Sequence, residues 1–295
     1  MGRALRLLPL LFLSGCYAYR STAGHLSLLW HERSIAETIK DPSTAPGRRE
    51  KLKLVLGARR FAVEKLALAP SRDFAAWTPV DGAVTWLVYA CSTTSLKPIT
   101  FLGFPYKGHF RRDIAEKEAA EWTRKGFDST VVPAAAYNTP LPIADPLPSA
   151  VLDYGPGDLA ELLIHEFAHG TLGNEESTAQ WIGEHGAEYF VRDRFGEASP
   201  EMEEWSSDLV ASEKRAALFT ALAAKLEACY AEKCGEREKL FAQSGIPGKL
   251  NNAVVAAHRV YRGDPAKLDK LFEDSGRDWP KFIAALKRPG RAASK

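Results

Sequence analysis

The sequence predicts an α+β protein, mainly helical, with a small sheet lobe. Three observations carry this. Towards both ends of the chain, apolar residues recur at helical spacing. Residues 71–155 change character, rich in proline, glycine and aromatics, and residues 83–90 (AVTWLVYA) are apolar almost without a break. Such a run reads as a strand covered on both faces. Finally, residues 159–195 hold His165-Glu166-Phe167-Ala168-His169 on a predicted helix, then a short glycine-bounded turn and a second helix. That makes an αα-hairpin carrying the HExxH pattern.

Taken in order, residues 1–15 read as a signal peptide: Arg3 and Arg6, then an apolar run over 7–13 too short to span a bilayer. The run ends Leu13-Ser14-Gly15-Cys16, which resembles the bacterial lipoprotein cleavage box. Cys16 would become the lipidated first residue, and several acyl chains on it would hold the protein at a membrane. Tyr17, where Asp would signal inner-membrane retention, points to the outer membrane, facing the periplasm, if the bacterial cell envelope is a Gram-negative one.

Residues 17–69 read as helical, with Leu26, Leu29 and Trp30 on an apolar face, a turn over 41–47, and a second helix ending before Pro70. Residues 101–110 look like a loop and 112–125 like an amphipathic helix turning Ala115, Ala119 and Trp122 inward. A short strand is expected over 129–132, and proline keeps 133–148 irregular. Helices follow over 201–229, 236–244, 249–261, 266–272 and 279–286. The domain organisation is one unit over 16–288: N-terminal helices and an α/β lobe to about 155, a helical lobe over 156–288, and a disordered tail over 289–295. In an oxidising compartment Cys229 and Cys234 can pair if a helix ends between them, which Gly235 favours.

The chain has 295 residues, 45% hydrophobic and 26% charged, with a formal net charge of +2. Discounting Arg3 and Arg6, basic and acidic residues balance. Nothing in this charge pattern suggests a nucleic-acid footprint.

The chemistry sits in the hairpin. On a helix His165 and His169 are one turn apart and share a face. Two neutral imidazoles there can hold a zinc ion, with Glu166 beside them to act on a zinc-bound water. Asp158 and Glu161 have capping-box spacing, placing the helix start near Leu159. Residues 170–173 read as the turn and Asn174 as the next N-cap. Folding the chain back about Leu172 puts position 177 opposite the histidines. Glu175 and Glu176 are both near; Glu184 lies about 12 Å further along the helix and Glu188 further still. Positions 176, 179, 183 and 187 form a stripe of Glu, Ala, Gly and Ala. Small side chains there allow close helix approach, which favours Glu176 as third ligand.

HEFAHGTL followed by ESTAQWIGEHGA resembles the bacterial Aminopep family of aminopeptidases, within the gluzincin class of zinc peptidases. Further matching pieces are Arg60-Phe61-Ala62, Tyr106-Lys107-Gly108-His109-Phe110, Ala136-Tyr137-Asn138-Thr139, Asp145-Pro146-Leu147 and Leu250-Asn251-Asn252-Ala253 with Tyr261. The resemblance covers nearly the whole chain. It implies Zn²⁺ on His165, His169 and Glu176, Glu166 as catalytic acid/base, and a peptide substrate in a cleft between an α/β lobe and a helical lobe. The Gly-x-Met-Glu-Asn run that binds the substrate ammonium in well-known gluzincin aminopeptidases is absent. A second reading is a zinc-binding envelope lipoprotein with a structural or partner-binding role and no hydrolysis.

An oxyanion donor is also required. Asn251, Val254, His258 and Tyr261 would share one helical face, making Tyr261 a catalytic candidate and Asn251 and His258 substrate-contact candidates. Tyr137, in the proline-rich loop, is a further substrate-contact candidate. His109 is expected to pack or to meet substrate; His25, His31 and His185 show no partner pattern.

Overall fold

The computed structural model describes residues 8–135, 144–173, 175–260 and 265–287, and of residues 8–16, 18 and 19 the backbone alone. The N-terminal region forms three helices, α1 (Leu8–Trp30), α2 (Ile35–Lys40) and α3 (Pro46–Glu64). Ser34 caps α2 by accepting the Glu37 amide, and Pro46 opens α3 from its first turn. The expected turn over 41–47 therefore ends two residues earlier than the sequence pattern indicates. The expected apolar face of α1 is also corrected: Leu26 is 55% and Trp30 87% exposed. The inward residues are His25, which is buried, and Gly24, where a Cβ would sit 2.3 Å from the Phe110 ring. On α3 the positions Leu52, Val55, Ala58 and Ala62 recur every three or four residues and are all fully buried.

Among the described residues two three-stranded sheets form. In the first, β2 (Ala76–Thr78) runs antiparallel to β1 (Arg33–Ser34) and parallel to β6 (Leu147–Pro148). In the second, β3 (Thr85–Cys91) lies between β4 (Lys107–His109) and β5 (Asp128–Ala134), antiparallel to both. Helix α4 (Arg112–Arg124) covers one face through Ala115 and Ala119 against Val88. Helix α9 (Asn252–Val260) covers the other through Ala253, Ala256 and Ala257 against Leu87, Tyr89 and Cys91. Cover on both faces is why β3 lacks a polar alternation. Residues 101–110 are not all loop, because Lys107–His109 pairs with β3. Nor is 133–148 irregular throughout. Pro133 is accommodated in β5, an edge strand where a missing donor costs no ladder bond, and Leu147–Pro148 pairs with β2.

The C-terminal half holds α5 (Pro156–Leu172), α6 (Glu176–Phe195), α7 (Pro200–Ala231), α8 (Arg237–Ala242), α10 (Pro265–Asp274) and α11 (Trp279–Leu286). The Cys229–Cys234 disulfide forms across the end of α7. The largest core joins α3 to α5, α6, α10 and α11, so residues well before 155 pack into the helical part. Conversely α9 packs on β3 and β5. Helix α7 bridges the two groups: Met202 and Trp205 are buried in the first, Phe219, Leu222 and Leu226 in the second. Among the described residues no helix is long and apolar enough to cross a membrane.

Candidate metal centre

Helix α5 begins at Pro156 with Gly155 as N-cap, three residues before the expected start. Proline at the first helical position needs no amide partner and overrides the Asp158–Glu161 capping-box pattern. The helix then runs through 170–172, which was expected to be a turn. Gly173 ends it with φ of 91°, a backbone conformation suited to glycine. Asn174, the expected N-cap of the next helix, lies outside the described residues. Glu175 holds that post, accepting the amides of Ser177 and Thr178. This spends the Glu175 carboxylate on the helix end and leaves the neighbouring Glu176 to face α5.

Helices α5 and α6 approach closely because α6 is small where they cross. A Cβ on Gly183 would stand 3.0 Å from the Glu161 carbonyl oxygen and 3.2 Å from the His165 Cβ. Ala179 and Ala187 of the same stripe are buried. The close approach carries Glu176 to the two histidines. Its Oε2 lies 3.4 Å from His165 Nε2 and 3.3 Å from His169 Nε2. The two Nε2 atoms are 3.0 Å apart.

These three atoms fit a divalent cation. His169 Nδ1 stands 3.0 Å from the Gly173 carbonyl, which only accepts, so Nδ1 carries the hydrogen and a neutral ring presents its Nε2 lone pair to the cluster. A lone pair, a carboxylate oxygen and a second imidazole nitrogen then converge. Ligands at roughly 2.0–2.1 Å from tetrahedral zinc stand about 3.3 Å from one another. His165, His169 and Glu176 form the group of possible metal ligands found among the described residues. Without a metal, protons take its place. Burial opposes charge on Glu176, but hydrogen bonds from both imidazoles outweigh it and hold the carboxyl at about 2. Burial likewise opposes charge on His169, but Glu176 and the Gly173 carbonyl push it up to about 9. Placement in the first turn of α6 also favours a negative Glu176.

Glu166 lies about 100° around α5 from His165. Its Oε2 is buried without a hydrogen-bond partner among the described residues. Burial raises its proton affinity, and the nearby Glu176 and Asp73 charges add to this against the pull of the two histidines. The segment after α3 braces this side. Arg59 donates to the Ser71 carbonyl with its guanidinium 5.9 Å from the Phe167 ring, and the Ala69 amide donates to Thr171 Oγ1 at 2.9 Å.

Sequence reasoning missed a second polar group along the same seam. Gln180 Nε2 donates to Glu161 Oε1 at 2.7 Å and to Glu184 Oε1 at 2.9 Å. Burial, then the Glu184 charge, pushes the Glu161 carboxyl up to about 7. The available signal was spacing: Glu161 is four residues before His165, and Gln180 four after Glu176.

The other sequence candidates are placed elsewhere. Asn251 precedes α9, donating to the Ser129 carbonyl and accepting the Val254 amide. Both ends of its amide are thus used to start the helix and tie it to β5. His258 is exposed and stacks on Phe219 with ring centroids 3.7 Å apart. Tyr137 and Tyr261 lie outside the described residues. Cys16 lies in α1, where only the backbone is described. His109 is buried against Glu118 at 2.8 Å, and His185 stacks on Trp181 at 3.8 Å.

A search of curated proteins and of solved structures finds no match to the chain. A family model does: Aminopep, described as "Putative aminopeptidase", matches residues 16–246. That span includes the HExxH helix and Glu176, and on it the chain belongs to the Aminopep family.

Proposed function

We propose that this protein is a zinc-dependent peptidase of gluzincin type, an aminopeptidase-like lipoprotein anchored in a bacterial envelope through Cys16. The observation that carries the catalytic reading is the convergence of His165, His169 and Glu176 beside a buried oxygen of Glu166 that has no hydrogen-bond partner among the described residues. The family assignment supports hydrolysis of peptides. The leader and Leu13-Ser14-Gly15-Cys16 support the anchor.

His165, His169 and Glu176 would hold the ion with three protein ligands, the number that keeps a catalytic zinc open to substrate. When bound, zinc supplies Lewis acidity to a water and to the substrate carbonyl. Glu166 takes the proton of the attacking water at its carboxylate and returns it to the leaving nitrogen. Burial raises its proton affinity, the direction that favours taking up a proton. The Gly173 carbonyl holds the Nδ1–H of His169, fixing the tautomer that turns Nε2 inward. We assign a substrate contact to Tyr137 and the oxyanion donor to Tyr261, on the sequence resemblance alone; Tyr261 lies beyond the residues 16–246 that the family model matches.

The test is metal analysis of the purified protein with digestion of a peptide library. Glu166→Gln should retain the metal and lose nearly all hydrolysis. Tyr261→Phe should lower turnover by roughly 10²–10³, as loss of one oxyanion donor does. A fully active Glu166→Gln variant refutes the mechanism.

A further inference from the structure

The connection leading into β4 carries an exposed apolar turn. Residues 99–106 read ITFLGFPY, with no charged side chain between Lys97 and Lys107. Phe101 and Phe104 exchange two backbone hydrogen bonds, at 2.8 and 3.0 Å, closing a two-residue turn. Leu102 has φ of 51° and Gly103 of 89°. Turns with two left-handed residues favour Asn or Asp before Gly, because a branched apolar residue gains nothing there. Leu102 is nevertheless apolar and 82% exposed, with Phe104 beside it 37% exposed. Folding does not explain an exposed leucine in a strained backbone position.

The position of the turn suggests what does. Tyr17 packs edge-on against Phe101, ring centroids 5.1 Å apart, and donates its hydroxyl to the Gly108 carbonyl. Lys107 Nζ lies 4.8 Å from the Tyr17 ring and 5.1 Å from the Phe101 ring, while paired with Glu118. Tyr17 directly follows Cys16, the proposed site of lipid attachment. The exposed turn and the end of the anchor are therefore neighbours.

We propose that the Phe101–Phe104 turn is a second membrane contact, inserting Leu102 and Phe104 into the lipid surface beside the lipidated N-terminus. The proposal takes its location from the lipid-anchor reading. Insertion removes two apolar side chains from water. The hydrogen bonds between Phe101 and Phe104 take backbone polar groups into the interface already paired. Lys97, exposed five residues before Leu102, supplies a basic side chain that can settle at headgroup level. Two adjacent contacts would fix the orientation of the domain, which a flexible acyl anchor alone would not.

The test uses the full chain with Cys16→Ser and Leu102→Cys, labelled at position 102 with an environment-sensitive dye. Cys91 is buried, its thiol pushed up to about 12 by burial, and Cys229 and Cys234 are bonded to each other, so labelling is selective. A second chain labelled at Lys270→Cys, exposed on α10, is the control. On phosphatidylethanolamine–phosphatidylglycerol vesicles, dye at 102 should shift to the blue and be quenched by brominated acyl chains, and dye at 270 should not. Leu102→Glu in the unlabelled Cys16→Ser chain should weaken vesicle partitioning by about tenfold or more. A dye at 102 that stays in water on vesicle-bound protein overturns the proposal. So does equal response at 102 and 270, which is non-specific adsorption, or unchanged partitioning of Leu102→Glu. Acylation of Cys16 is read separately, from the mass of the wild-type N-terminal peptide. Its absence would remove the anchor and leave the vesicle result standing.

Discussion

Replacing Glu176 by Gln in the metal-free protein gives a worked test of the centre. In the wild type His169 rises from its ordinary 6.5 to about 9, because Glu176 and the Gly173 carbonyl outweigh burial. That rise corresponds to roughly 3 kcal/mol in favour of the charged ring. The side chains of His169 and Glu176 are 11% and 22% exposed, so solvent screens the pair weakly. The depression of Glu176 to about 2 reports the same contacts and is not added to it. The sign follows from linkage. A group whose folded pKa is raised contributes its full stabilisation below its unfolded value and loses it as pH rises towards the folded one. Metal-free wild type should therefore lose up to roughly 3 kcal/mol of unfolding free energy between about pH 6.5 and 9. On the acid side, Glu176 contributes stability above its ordinary 4.5 that disappears as pH falls to about 2. Glu176→Gln removes the charge, so the loss between pH 6.5 and 9 should largely vanish. The assay is urea unfolding of chelator-treated protein across this range, with NMR titration of the His169 ring. A wild type whose stability is flat over the window, or a variant with the same slope, refutes the pairing described here.

Other outcomes follow from named contacts. Glu176→Ala should lose zinc in a competition titration with a colorimetric chelator, whereas Glu175→Ala should retain it and lose about 1 kcal/mol of stability as a missing N-cap. The reverse result would mean that Glu175 is the ligand. Gly157→Ala places a Cβ 2.4 Å from the buried Trp205 ring and should destabilise by about 1–3 kcal/mol, read as a lowered thermal midpoint. Glu161, raised to about 7, costs stability as pH rises from its ordinary 4.5 towards that value. Glu161→Gln should therefore raise the thermal midpoint at pH 8 and leave it unchanged near pH 4. A midpoint that falls at pH 8 would show that the carboxylate is better satisfied than the burial of Glu161 implies.

Part of this molecule is decided by short-range pattern, and there the sequence suffices. His165 and His169 must share a face because they lie one helical turn apart. Small residues at 179, 183 and 187 must let a neighbouring helix approach, which selects Glu176. An unbroken apolar strand must be covered twice, as β3 is by α4 and α9. A bridge from Cys229 to Cys234 requires the helix to stop, and α7 stops at Ala231. Periodicity says that a face is buried, but not against what. Only the tertiary structure joins α3 to the α5–α6 pair and sends α9 to the sheet. Only it turns Leu26 and Trp30 outward while burying His25. The bond from Gln180 to Glu161 spans 19 residues, and that from Asn251 to Ser129 spans 122. Local propensity carries no information about such partners. Where two local signals compete, as Pro156 does with the Asp158–Glu161 pattern, the stronger backbone constraint wins, and it places the histidines and Glu166 on a helix already two turns old.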